Sequence, residues 1–190
     1  MGRWEPGAGE RLQRAALELF LEQGFAVTTV PQITARAGLT TRTFFRYFPD
    51  KREVLFAGED EIPQRVADVM AEAPAEFDPM DVIDYSLTRI ADRFFEGAFD
   101  YLRARQSVID ADEGLRERET SKFAVIAEAG REGFRRRGAD ELTSTLAAEL
   151  AVTALRVAIL RWLSAPRGRP LAEVVTETLS ALRALATPSR

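Results

Sequence analysis

One short stretch of the sequence concentrates side chains that are well suited to bind a polyanion. Residues 38–51 read GLTTRTFFRYFPDK, with four aromatic rings, two arginines and three threonines. Arginine forms paired hydrogen bonds with phosphates and with guanine edges, and threonine hydroxyls can bond to either. The stretch is therefore either a dense piece of protein core or a surface that contacts a polyanion. The helices predicted on either side of this stretch distinguish between the two interpretations.

The composition excludes several kinds of catalytic and metal site. The chain has no cysteine and no histidine, so disulfides, thiolate chemistry, zinc sites and Ser-His-Asp triads cannot be built. Asp110, Asp112 and Glu113 are dense enough to suggest a divalent cation, but the residues around them complete no known ion-binding loop. We predict no metal and no cofactor.

The charge is distributed unevenly along the chain. The net charge of the 190 residues is −4. Residues 1–57 hold eight basic against six acidic residues, while residues 58–190 hold 18 against 24. A mildly basic N-terminal part on an acidic remainder is expected if only the first part meets an anion.

No apolar run approaches the roughly 18 residues of a membrane span, and the start lacks the apolar stretch of a signal peptide, so we expect a cytoplasmic protein.

Apolar spacing in the N-terminal part predicts short helices. Residues 9–23 show one apolar helical face, a second helix begins after Thr29 and stops at Gly38, and a third begins at Thr40 or Thr41. Phe44 and Phe48 lie four residues apart and are expected in the core. A fourth helix is expected from Asp50 to about residue 73, kinked or divided at Pro63. Two short helices joined around a glycine have the spacing of a helix-turn-helix.

The remainder also reads as helical. Helical periodicity covers residues 80–98, 99–110, 115–137, 140–165 and 170–186, and no strand pattern is present. We predict an all-α fold of about nine helices. A three-helix helix-turn-helix domain at 1–57 is followed by a larger helical bundle at 58–190.

The segment TTVPQITARAGLTTRTFFRYFPDKREVL resembles the DNA-binding segment of TetR-type transcriptional regulators. The positions that carry the resemblance are Thr29, Ile33, Ala37, Gly38, Leu39, Thr40, Phe48 and Lys51. It implies a ligand-responsive regulator, a repressor in its simplest form, which binds double-stranded DNA. The family often has tyrosine where this chain has Phe45, and Phe45 lacks the hydroxyl that would meet a phosphate.

The DNA-binding interpretation assigns a role to each polar residue of this segment. Phosphate contacts position such a protein, and base contacts give it specificity. Arg42 is expected at a base and Arg46 at a base or a phosphate. Alternatively, Thr29 and Thr40 serve only as helix caps and both arginines are ordinary solvated charges. The predicted DNA-binding residues are Thr29, Thr40, Thr41, Arg42, Thr43, Phe45, Arg46, Tyr47 and Lys51, with Thr29, Tyr47 and Lys51 suited to phosphates and Thr41 and Thr43 to bases.

The resemblance also implies a small-molecule pocket in the helical bundle, for an effector of unknown identity. Every aromatic residue that could line this pocket is also plausible as ordinary core, and an arginine that could line it is also plausible as a solvated charge. Helices 140–165 and 170–186 are strongly apolar for terminal segments, which predicts a homodimer on a palindromic operator. The candidate ligand-binding residues are Phe94, Phe95, Phe99, Phe123, Arg156 and Trp162.

Two other functions remain open from the sequence. A helical scaffold or adaptor would use the aromatic third helix to bind another protein. A helical enzyme that works with carboxylates is a weaker alternative, since the commonest general base is missing.

Overall fold

The computed structural model describes residues 7–186, and within that range all of the regular secondary structure is helical. The prediction of an all-α fold with about nine helices is confirmed, and two short 3₁₀ helices, Arg52–Leu55 and Glu59–Glu61, are also present. The α-helices are α1 (Ala8–Gln23), α2 (Val30–Ala37), α3 (Thr41–Tyr47), α4 (Ile62–Glu72), α5 (Pro79–Phe95), α6 (Phe99–Asp110), α7 (Glu113–Arg136), α8 (Glu141–Ser164) and α9 (Leu171–Ala186).

The chain forms two compact units. The first takes in the chain up to Asp60 together with Arg103–Glu119, and the second comprises Glu61–Leu102 and the residues from Thr120 onward. The N-terminal unit is thus larger than the predicted first domain. No local pattern in the sequence indicates the addition of residues 103–119.

The core of the first unit joins α1, α2 and α3. Leu12, Ile33 and Phe44 are each fully buried, and α1 packs against both α2 and α3. Val108, Ile109 and Leu115 from the second segment complete the same cluster. Burial of large side chains from five separate stretches of sequence gives the unit a core of its own.

The second unit has a separate core around α5, α8 and α9. Its α5 packs against both α8 and α9, and the most deeply buried side chains are aliphatic, among them Ile83, Val175 and Leu179. None of the helices described is long and apolar enough to cross a membrane.

The predicted fourth helix begins later than the sequence indicated. The Asp50 carboxylate does accept a hydrogen bond from the Glu53 backbone N–H at 3.0 Å, but only a 3₁₀ turn follows. Gly58 then adopts φ 79, which an α-helix cannot accommodate, and Pro63 lies in the first turn of α4. A glycine and a proline therefore divide what periodicity alone reads as one helix.

Candidate nucleic-acid interface

The helix α3 is held in place by two phenylalanines, one within it and one directly after it. Phe44 is fully buried and Phe48 is 6% exposed, with their ring centroids 5.5 Å apart. The Thr40 hydroxyl caps the helix by accepting a hydrogen bond from the Thr43 backbone N–H at 3.1 Å. Pro49 follows the C-terminal residue Phe48, where its ring prevents further helix. The predictions for the core phenylalanines and the cap are confirmed.

The connection from α2 to α3 is a tight turn. Gly38 adopts the left-handed conformation, φ 66 and ψ 36, and the Leu39 backbone N–H donates to the Thr34 carbonyl at 2.8 Å. Arg11 of α1 donates to the Ala37 carbonyl at 2.5 Å. A Cβ atom on Gly38 would come within 3.1 Å of the Arg11 guanidinium. The turn therefore favours glycine and holds α3 at a defined angle to α2.

The start of α2 carries a capping box. The Thr29 hydroxyl accepts from the Gln32 backbone N–H, and the Gln32 side chain accepts from the Thr29 backbone N–H at 2.8 Å. Thr29 is exposed. Its hydroxyl has a structural role in the cap, and a contact with phosphate would be additional to it.

Four residues make up the outer face of α3: Thr41, Arg42, Phe45 and Arg46. All four are exposed. With about 100° of rotation per residue, Arg42 and Arg46 lie about 160° around the helix from buried Phe44, while Thr41 and Phe45 lie about 60° and 100° from it. Thr43 is half-buried at the edge, where its hydroxyl lies 3.0 Å from that of Thr40.

The two arginines of the outer face have no carboxylate partner in the described part of the chain. Within residues 7–186, neither Arg42 nor Arg46 is within 4.0 Å of a carboxylate, and Arg46 instead lies over the Tyr47 ring at 5.1 Å. Arg36 of α2 behaves differently, since it donates to both oxygens of Glu22 at 2.7 and 2.8 Å. These hydrogen bonds lower the pKa of Glu22 below its usual value. Positive charge in this part of the unit is neutralised on α2 but left available on α3.

Tyr47 lies at the inner edge of α3 and packs against the start of α1. The residue is half-buried, and a Cβ on Gly9 would come within 3.3 Å of its ring. The ring therefore supports the placement of α1 against α3.

Lys51 has a different environment from the one predicted. Its ammonium group donates to the carbonyls of Phe25 at 2.6 Å, Thr28 at 2.8 Å and Ala26 at 3.3 Å. It also lies 4.2 Å from the centre of the Phe25 ring. Partial burial lowers the pKa of Lys51, and the carboxylate of Asp112 opposes that shift. The side chain that was expected to reach a phosphate thus holds the loop between α1 and α2.

A buried ionic cluster was missed by the sequence reasoning. Arg105 is 6% exposed and donates to the Leu55 carbonyl at 2.7 Å and to Glu119 at 2.8 Å. Arg118 binds both oxygens of Glu53, at 2.9 and 3.0 Å. Both guanidinium groups lie over the ring of Phe56, at 4.8 and 4.6 Å from its centre. The cluster ties the second segment of the first unit to the chain after α3.

Four arginines of the second unit lie within or beside apolar segments of the sequence, and all four are exposed: Arg89, Arg93, Arg156 and Arg161. Arg93 forms a bidentate pair with Glu72, at 2.7 and 2.6 Å, and Arg161 pairs with Glu177 at 3.3 Å. Arg89 lies over the Tyr85 ring, and Arg156 is exposed. None of the four is therefore a buried charge that requires an anionic partner.

The candidate ligand-binding residues of the second unit are only partly brought together. Phe95 and Phe99 pack edge-on against Trp162, with centroids 6.2 and 5.0 Å away, and the Trp162 indole donates to the Arg169 carbonyl at 2.8 Å. Phe94 instead is 39% exposed beneath Arg65.

Phe123 and Arg156 do not join that aromatic cluster. Phe123 is half-buried next to Lys122, and Arg156 is exposed on α8.

Asp112 caps α7 by accepting from the Leu115 backbone N–H at 3.0 Å. Across the described part of the chain, no group of three acidic residues is placed to hold a metal ion.

The N-terminal segment matches a known family. Residues 12–57 fit the model of bacterial regulatory proteins, tetR family. Over 88 residues the chain is 34% identical to the HTH-type transcriptional regulator TcmR of Streptomyces glaucescens. The matched region covers 46% of this chain and 39% of TcmR. The chain therefore spans well under half the length of this curated relative.

Solved structures are similar over almost the whole chain. The SmeT–triclosan complex superimposes with a TM-score of 0.63 at 20% identity, covering 92% of this chain and 91% of SmeT. FadR of Thermus thermophilus, a TetR family repressor in complex with lauroyl-CoA, gives a TM-score of 0.54 at 24% identity, with 96% of each chain covered. At these identities the likeness establishes the fold.

Proposed function

Because residues 12–57 match the model of bacterial regulatory proteins, tetR family, we propose that this chain is a ligand-responsive transcriptional regulator which binds a palindromic operator as a homodimer. Repression is its simplest mode of action. It would act in the cytoplasm, without a catalytic role, and the alternatives of an adaptor or an enzyme have no comparable support.

The observation that carries the proposal is the outer face of α3. A rigid helix with two arginines that lack carboxylate partners in the described part of the chain is suited to the major groove, where arginine can bond to O6 and N7 of guanine. Arg42, nearer the start of α3, is assigned to a base, and Arg46 to a base or an adjacent phosphate. Thr41 and Thr43 would contact base edges, while Thr29, Thr40 and Tyr47 flank them on the phosphate backbone. Lys51 is assigned to positioning α2, because its donors are already used.

Selection from random DNA tests this proposal. Rounds of binding to duplexes with a randomised centre should enrich an inverted repeat, and fluorescence anisotropy should then give an affinity well above that for unrelated DNA. An adaptor or an enzyme would enrich no sequence. Failure to enrich any sequence, with protein shown to be folded, would contradict the DNA-binding function.

The proposed homodimer rests on an apolar stripe along α8. Leu142, Leu146 and Leu150 recur every four residues and are 69%, 55% and 36% exposed, and Val157 and Leu160 continue the exposed apolar surface at 39% and 46%. An exposed stripe of this length is unusual for a monomer and is covered if a second copy packs against it. Two copies would carry two α3 helices to two half-sites.

Sedimentation equilibrium tests the dimer. Leu146→Glu should shift the protein to a monomer, because it places a charge in the centre of the stripe. Leu21→Glu, at an equally exposed leucine of α1, is the matched control and should leave the mass unchanged. Wild-type protein that sediments as a monomer at micromolar concentration would contradict the dimer.

The proposed effector is a largely apolar small molecule. SmeT has been seen with triclosan and the Thermus FadR with lauroyl-CoA, both of which carry large apolar parts. In this chain Phe95, Phe99 and Trp162 form the aromatic cluster that such a molecule would contact. The Ser86 hydroxyl of the same unit is buried with no hydrogen-bond partner among the described residues, and it would satisfy one polar group.

The effector would act by preferring a conformation that binds the operator weakly. Its effect on DNA affinity equals its difference in affinity between the two conformations. A screen for compounds that release the operator tests this, with Trp162→Phe expected to weaken the response. A compound that releases DNA equally from wild type and from variants at all three aromatic positions would contradict this site.

A further inference from the structure

Phe45 is an unusual residue for the outer face of α3. Its side chain is 55% exposed, while its neighbour Phe44 is fully buried. The Phe45 ring rests edge-on against that of Phe44, with centroids 5.4 Å apart and planes at 82°. The phenyl group is thus exposed to solvent and supported from behind by a fully buried ring. About half of the ring surface is therefore free to contact a partner.

The position of Phe45 ties it to the two arginines. It lies one turn after Thr41 and about 60° around the helix from Arg42, since each residue turns by about 100°. Two rows therefore run along the outer face, Thr41 with Phe45 and Arg42 with Arg46. Any base pair that Arg42 approaches is also close to the phenyl ring.

The chemistry of the ring restricts what it can recognise on a duplex. A phenyl group neither donates nor accepts a conventional hydrogen bond, so it gains little from a phosphate or from the polar edge of a base. In the major groove, the C5-methyl group of thymine is the one apolar group that base pairs present. Resting on the proposed DNA-binding function, we infer that Phe45 is a specificity-determining residue that reads a thymine methyl group in each half-site, next to the base contacted by Arg42.

The effect is measurable because the methyl group can be removed without changing base pairing. Each thymine of the selected operator is replaced in turn by deoxyuridine, and the affinity is measured by fluorescence anisotropy at fixed salt. Burial of one methyl group corresponds to about a four-fold change in affinity. At one thymine per half-site, deoxyuridine should weaken binding about four-fold, and about sixteen-fold when both half-sites are changed.

Variants at Phe45 show whether the ring is responsible. In Phe45→Ala the penalty for deoxyuridine at that position should vanish, and in Phe45→Leu most of it should remain. Because Phe45 is exposed, these variants should fold, which circular dichroism checks. Thr41→Ser is the matched control: it removes the other methyl group of the same row, and the penalty should persist.

With an operator that contains thymine, three results would overturn the inference while leaving the proposed function intact. These are an operator that binds specifically but tolerates deoxyuridine everywhere, a penalty of equal size in wild type and Phe45→Ala, and a penalty that disappears in Thr41→Ser instead. A selected operator without thymine would also overturn it. Failure to select any operator would instead count against the DNA-binding function itself.

Discussion

Replacing Lys51 by methionine separates the two roles assigned to this residue. The sequence placed its ammonium group on a phosphate, whereas the structure places it 2.6 Å from the Phe25 carbonyl and 2.8 Å from the Thr28 carbonyl. Methionine keeps much of the length of the side chain and its contact with the Phe25 ring but removes the three donors. The loop that leads into the Thr29 cap then loses its attachment to the chain after α3.

The cost of Lys51→Met can be worked from these contacts. A hydrogen bond with a charged partner contributes about 1.5–3 kcal/mol when it is well shielded. The Phe25 and Thr28 carbonyls are only partly buried, so water can replace part of the loss, and the Ala26 bond at 3.3 Å is exposed and adds little. We expect the free energy of unfolding to fall by about 2–3 kcal/mol.

Two assays on the same variant decide between the roles. Urea denaturation measures stability, and the dependence of operator affinity on salt counts phosphate contacts. Lys51→Met should be destabilised while its salt slope stays within error of wild type. The control Arg46→Ala, at an exposed residue, should change stability by less than about 0.5 kcal/mol. A Lys51→Met protein of wild-type stability whose salt slope is lower by about one would refute the reasoning, because that is the signature of a lost phosphate contact.

Two further predictions concern charges within each unit. Arg105→Met should cost about 2–4 kcal/mol in urea denaturation, because it removes the hydrogen bonds to the Leu55 carbonyl and to the partly buried Glu119 carboxylate. Adding Glu119→Leu should recover part of the loss, and no recovery in the double variant would contradict this. Hydrogen bonds from Thr143 lower the pKa of Asp140 below 3.8, so its carboxylate stabilises the start of α8 above about pH 4 and loses that effect on further acidification. The stability difference between wild type and Asp140→Asn should therefore be constant from pH 7 to 5 and shrink below pH 4 in denaturation curves; a difference independent of pH would contradict it.

Features that depend on neighbouring residues could be predicted from the sequence. The four-residue spacing of Phe44 and Phe48 shows that they share a buried face, and Thr40 lies where a cap is needed. Gly38 marks the turn because few other residues adopt its left-handed conformation easily. The outer face of α3 followed from these facts, since its residues are those that remain.

Features that depend on distant residues could not be predicted. Lys51 bonds to carbonyls 23 to 26 residues earlier, and Arg105 to a carbonyl 50 residues earlier. A backbone carbonyl carries no sequence signature, because every residue has one. Arg105 falls in an ordinary helical pattern, so nothing local distinguishes it from the exposed Arg156.

The central claim, that the outer face of α3 reads bases, is tested most directly by the ratio of specific to non-specific affinity in Arg42→Ala. Loss of a bidentate guanine contact of about 1–3 kcal/mol should lower operator affinity about 5- to 150-fold and reduce non-specific affinity much less. Arg14→Ala, at an exposed arginine of α1, is the matched control for the loss of one charge and should leave the ratio unchanged. If Arg42→Ala lowers operator and random-DNA affinity by the same factor, Arg42 does not read a base and the account of this face is contradicted.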